Sequence, residues 1–71
     1  MNTESLEFAV WLIHELAEAW HSSPPRVYDL LKKSGCLSDY LIRHFDVLHT
    51  MGSKALIADV EEYLAVRGYS R

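Results

Sequence analysis

The chain has 71 residues, of which 49% are hydrophobic and 24% charged, and its formal net charge is −3. A chain this short buries only roughly 60% of the surface its unfolded form exposes, so a single domain over residues 1–71 with a thin core is expected. The balance excludes a disordered or low-complexity chain, and no apolar run approaches the length of a membrane span.

Charge is unevenly placed along the chain. Residues 1–21 hold Glu4, Glu7, Glu15 and Glu18 with no Lys or Arg, a sum of −4. Residues 22–36 hold Arg26, Lys32 and Lys33 against Asp29, a sum of +2, and the remainder sums to −1. Such an acidic surface argues against general polyanion binding and permits a basic protein partner. Cys36 is the only cysteine. It rules out an internal disulfide and suits a reducing compartment. Glu4 and Glu7 stand where a secretory leader would be cationic, so the expected location is a bacterial cytoplasm.

A first helix is predicted over residues 4–20, with Asn2 or Thr3 as N-cap. At about 100° per residue, Leu6, Phe8, Ala9, Val10, Leu12, Ile13, Leu16, Ala17, Ala19 and Trp20 share one broad arc. So wide an arc suits a central helix. Glu4, Glu7, His14, Glu15, Glu18 and His21 take the other side, and Trp11 falls among them.

Ser22-Ser23-Pro24-Pro25 separates this helix from the next. Ser23 can cap, and Pro24 fits the first helical position, where its missing N–H costs nothing. The second helix runs to Ser34 and stops at Gly35. It turns Val27, Tyr28, Leu30 and Leu31 inward and Arg26, Lys32 and Lys33 outward. A third helix is predicted from an N-cap at Ser38 to Gly52, with Leu37 and Ile42 as a hydrophobic staple. Leu41, Ile42, Phe45 and Leu48 form its inward side, His44 and His49 lie on or beside it, and Asp39, Arg43 and Asp46 point away. Residues 53–57 read as a turn or an early helix start. Asp59-Val60-Glu61-Glu62 resembles a capping box that would start the fourth helix only there. Leu56, Ile57, Val60, Tyr63 and Leu64 share a face, and Gly68 closes the element. The expected fold is all-α, four short helices in a compact orthogonal or bundle-like arrangement.

Candidate chemistry is sparse. His14, Glu18 and His21 share one side of the first helix at a spacing that can present metal ligands, but with no assured fourth ligand a solvated polar face is favoured, and no metal or cofactor is expected. Cys36 lies in a Gly-Cys-Leu turn, where a small apolar thiol is more often core filling than nucleophile. No catalytic residue is assigned. The second and third helices have the length of a helix-turn-helix unit, yet Asp39 and Asp46 beside a single Arg43 suit phosphate poorly. Trp11 is either a rigid aromatic anchor for a partner or a residue covered by the C-terminal helix or tail. His49, followed by Thr50, reads as a latch on the carbonyls at a helix end.

Residues Phe45-Asp46-Val47-Leu48-His49-Thr50-Met51-Gly52, followed by Ile57, Asp59, Val60, Tyr63 and Leu64, resemble a family of short bacterial proteins filed as domain of unknown function 3791. The resemblance takes in Phe8, the Val27-Tyr28-Asp29-Leu30-Leu31 helix, and Gly35 through Tyr40 and Leu41. It marks Leu48, His49, Thr50 and Gly52 as signature positions with no catalytic role. It further implies an antitoxin or accessory protein, because such proteins are encoded beside toxins of ADP-ribosyltransferase type. The expected function is a protein-binding module using Trp11, His14, Glu15 and Glu18. A DNA-binding regulator is the alternative, and homodimerisation through exposed apolar residues is also open.

Overall fold

Successive turns of the first helix carry Leu12 and Leu16, and around these two side chains the rest of the chain closes. The computed structural model describes residues 3–70. Helix α1 (Thr3–Trp20) packs against α2 (Pro24–Ser34), a π-helical segment (Cys36–Ile42) and α4 (Ser53–Val66); a single turn, α3 (Phe45–Leu48), lies between the last two. The domain is all-α. Its radius of gyration is 10.9 Å, close to the roughly 11 Å of a compact chain of this length. The core joins Phe8, Leu12, Ile13, Leu16 and Ala17 of α1 to Val27, Leu31, Cys36, Leu41, Leu48, Leu56, Val60 and Leu64.

The buried arc of α1 is narrower than its composition suggests. Leu6 and Val10 are 50% and 47% exposed, and Ala19 also faces outward. The predicted arc was too wide because a thin domain has too few partners to cover ten apolar positions. Thr3 is already helical, and Asn2 lies outside the described residues. At the other end, Ser22 N–H bonds the Ala17 carbonyl at 2.9 Å and His21 N–H the Glu18 carbonyl at 3.3 Å. This is a Schellman closure with His21, at φ 53°, in the left-handed position that glycine usually takes. A side chain there costs about 1–2 kcal/mol, part of which glycine gives back as backbone entropy. His21→Gly is therefore expected to raise stability by about 0.5–1 kcal/mol, read as a melting temperature a few degrees higher.

Helix α2 starts with Pro24 at its first position, but Ser23 caps through its carbonyl, which accepts from Arg26 and Val27, and not through its hydroxyl. Tyr28 does not turn inward: it is 45% exposed, with the Lys32 ammonium 5.9 Å from its ring centroid. Gly35 closes the helix at φ 84°. A Cβ there would also stand 3.1 Å from Asp39 Oδ2, so both backbone and space favour glycine.

The predicted third helix is two elements. The chain enters the π-helical segment directly after Gly35, so Ser38 is its third residue and not an N-cap, and the segment gives way to a turn at Arg43 and His44 before α3. Wider π turns re-aim side chains relative to a 3.6-residue period, and here they bury Cys36 and Leu41 while leaving Tyr40 at the α4 side. Cys36 is fully buried, and burial pushes its thiol up to about 12, with Arg67 acting in the opposite sense. The folded state therefore keeps a proton that the unfolded state releases above the ordinary value of 9.0. Stability is expected to fall as pH rises through that value, by about 1.4 kcal/mol at pH 10 relative to pH 7. Urea melts of the wild type and Cys36→Ala at both pH values check this: the variant starts less stable, but its loss between them is smaller by that amount.

Helix α4 begins at Ser53, six residues before the expected capping box. Asp59 is not a cap; it accepts a hydrogen bond from the Tyr40 hydroxyl at 3.1 Å, tying α4 to the π-helical segment. Burial first, then this bond, raises the Tyr40 phenol above its ordinary value. Gly52 precedes α4 in extended conformation and ends no helix. A second link runs from Trp20 Nε1–H of α1 to Glu61 of α4 at 2.9 Å. Gly68, at φ 78°, closes α4 by bonds from its own N–H to Ala65 and from Tyr69 N–H to Leu64.

Candidate interaction surface

On α1, the residues one turn before and after Trp11 are Glu7, His14 and Glu15, with Glu4 and Glu18 a turn further out. Residues three and four apart on a helix are surface neighbours, so the indole stands in the middle of an acidic stripe. Trp11 is 44% exposed. Residues 69–70 do not cover it: the Tyr69 hydroxyl donates instead to the Lys33 carbonyl at 3.3 Å, on α2. Glu4, Glu7 and Glu18 are exposed and Glu15 is half-buried, and none of the four forms an ion pair among the described residues. Lys33, the cation that is paired, goes to Asp29 within α2.

His14 is exposed and donates from Nδ1 to the Val10 carbonyl at 2.9 Å, which leaves Nε2 as its free ring nitrogen. The left-handed backbone of His21 takes that residue out of helical register with His14 and Glu18. Among the described residues, no three His, Cys, Asp or Glu side chains gather into a group suited to hold a metal ion.

The second candidate region is the corner after α3. Leu48 is buried, whereas His49, Thr50 and Gly52 are exposed. His49 donates from Nδ1 to the Phe45 carbonyl at 2.8 Å, and the Thr50 hydroxyl donates to the Val47 carbonyl at 2.7 Å. The same two carbonyls also accept the backbone N–H groups of His49 and Thr50, so each side-chain bond is a second one at the end of a one-turn helix. Gly52 has a negative φ, and a Cβ added to it would meet open space, so the backbone does not require glycine there.

A run of ring contacts links these two regions beneath the surface. Trp11 lies 6.2 Å from Phe8, Phe8 meets Phe45 edge-on at 5.5 Å, and Phe45 stacks on His49 at 4.7 Å. The run passes from the acidic stripe of α1 through the buried Phe8 to the exposed His49, with the exposed Val47 on the same turn as Phe45. Phe8 and Phe45 carry no separate sequence signal as surface connectors; each reads as a core position, and only the approach of α3 to α1 joins them. The arrangement presents a half-exposed indole next to Phe8, with carboxylates around it that form no ion pair among the described residues.

Fold and surface together define a small all-α domain with an acidic, aromatic-bearing first helix. Residues 7–67 match the model of a family described as "Protein of unknown function (DUF3791)", and the chain belongs to that family. Neither a curated protein nor a solved structure matches the chain. No helix among the described residues is long and apolar enough to cross a membrane.

Proposed function

We propose that this domain is a protein-interaction module whose α1 surface binds a basic protein partner. Its most concrete form is the antitoxin or accessory partner of a toxin-like protein encoded beside it in a bacterial cytoplasm. The observation that carries the reading is the half-exposed indole of Trp11 inside a stripe of four glutamates that no cation of the described chain pairs. Partly exposed aromatic residues on rigid helices are the side chains that most often dominate interface energy. Surrounding carboxylates add little affinity, but they steer a cationic partner and reject acidic ones. Binding is favoured over catalysis because the one thiol is buried with its ionisation suppressed, and two of the four exposed histidines, His14 and His49, are engaged with helix carbonyls. The antitoxin form draws its support from the gene neighbourhood that the family resemblance implies.

The test is calorimetric titration of the purified chain against the product of the adjacent gene, alongside a gel shift with duplex DNA at low salt. Saturable binding to the protein, weakened by Trp11→Ala, supports the reading. Binding to DNA that falls steeply with salt, with none to the protein, replaces it with a DNA-binding regulator.

A further inference from the structure

A groove between α4 and the π-helical segment shares no residue with the Trp11 surface. It is lined by Tyr40, Asp59, Glu62, Tyr63, Val66 and Arg67 and encloses about 270 Å³. The five positions from Asp59 to Arg67 follow the i, i+3, i+4, i+7, i+8 pattern of one helical stripe. Tyr40 supplies the opposite wall: its ring stacks on Tyr63 at 5.2 Å and 25°, and its hydroxyl holds Asp59. The guanidinium carbon of Arg67 stands 4.2 Å from the centroid of the Tyr63 ring. Neither Asp59 nor Glu62 forms an ion pair among the described residues, so Arg67 is held by the ring and not by a carboxylate. Two carboxylates and one cation leave the groove with a net charge of −1.

We propose that this groove binds the guanidinium group of an arginine side chain on a protein partner, in the place Arg67 now occupies on Tyr63. A guanidinium is planar and weakly hydrated, so it stacks on an aromatic face at lower desolvation cost than an ammonium does. Arg67 shows that the Tyr63 face accepts such a group. It is itself exposed, follows the last residue of α4 and precedes the left-handed Gly68. Arg67 reaches the ring from the end of its own helix and forms no ion pair with Glu62, whereas an incoming arginine is free of that tether and can turn its N–H groups toward the Glu62 carboxylate. The net negative charge excludes an anionic ligand, and a neutral aromatic ligand leaves both carboxylates unused.

Binding is read by heteronuclear NMR on the full chain, with Nα-acetylarginine amide as probe and Nα-acetyllysine amide as comparison. Saturable shifts are expected at Tyr40, Glu62 and Tyr63, larger for the arginine probe. Arg67→Ala frees the ring face and is expected to tighten binding about two- to fivefold, the equivalent of one exposed cation–π contact. Glu62→Gln is expected to weaken it. Both positions are exposed, and far-UV circular dichroism confirms that each variant keeps the fold. Equal shifts from the two probes would reduce the groove to a general attraction for cations and overturn the proposal. Unchanged or weaker binding by Arg67→Ala, or no saturable shift in that variant, overturns it too. These outcomes read the groove alone, so the Trp11 reading stands or falls separately.

Discussion

Replacing Trp11 with alanine is expected to weaken partner binding by about thirtyfold or more while lowering the stability of the domain by no more than about 2 kcal/mol. The first magnitude is that of an interface anchor, for which truncation costs about 2 kcal/mol or more. The second follows from surroundings: the indole is 44% exposed, and among rings its neighbour is Phe8 at 6.2 Å. An aromatic pair of that kind contributes about 0.5 kcal/mol or a little more beyond its area burial, and burying about half of the side chain adds about 1–1.5 kcal/mol. Calorimetry against the adjacent gene's product and a thermal melt of the same variant provide the two numbers. Glu15→Gln and Glu18→Gln separate anchoring from steering. They are expected to slow association and reduce its salt dependence while leaving dissociation nearly unchanged. A Trp11→Ala variant that melts far lower yet binds normally would make the indole a packing residue and remove the basis of the proposed function.

The reason this surface was only half legible in the sequence is physical. Trp11 stands out because helical periodicity places it among glutamates, and that is local information. Whether it is covered depends on where residues 69–70 go, and Tyr69 goes to the Lys33 carbonyl through a contact 36 residues away in the chain. The aromatic run from Trp11 to His49 is likewise non-local, because α3 must approach α1 before Phe45 can meet Phe8. His49 and Thr50 were easier to read. Their bonds reach back only three or four residues, within the range that spacing reports.

The same division runs through the fold. Helices α1 and α2 are legible because Pro24 and Gly35 punctuate them and their apolar spacing is regular. Between Gly35 and Gly52 there is no Pro or Gly, so nothing in the sequence marks the break at residues 43–44. A π-helical run is also invisible to a 3.6-residue template. The sequence leaves the start of α4 open between residues 53–57 and Asp59 for a related reason. The helix has no side-chain cap to announce it, and Asp59, which resembled one, is committed to Tyr40 across the molecule. The arginine groove had no sequence signal, since Tyr40 joins the α4 stripe only through tertiary packing.

Leu16→Ala and Leu6→Ala test the narrowed arc of α1 directly, because helical periodicity places both leucines on the same apolar side. Leu16 is fully buried at the meeting of α1 with the rest of the core, whereas Leu6 is 50% exposed. Truncating a fully buried leucine removes its transfer free energy and leaves a cavity, which together cost about 2.7–5 kcal/mol. A domain of this length has a total stability of only about 4–10 kcal/mol. Leu16→Ala is therefore expected to remove about a quarter of it or more, and to lower the melting temperature by at least about 10 °C. Leu6→Ala leaves no enclosed cavity and gives up about half of a side chain's burial, so its cost is expected to stay near 1 kcal/mol or below. Urea denaturation of the two variants at neutral pH supplies the comparison. Similar midpoints would mean that Leu6 is buried against something in solution. A second copy of the chain would then be the first explanation to examine, because only association restores the wide arc that the isolated fold leaves uncovered.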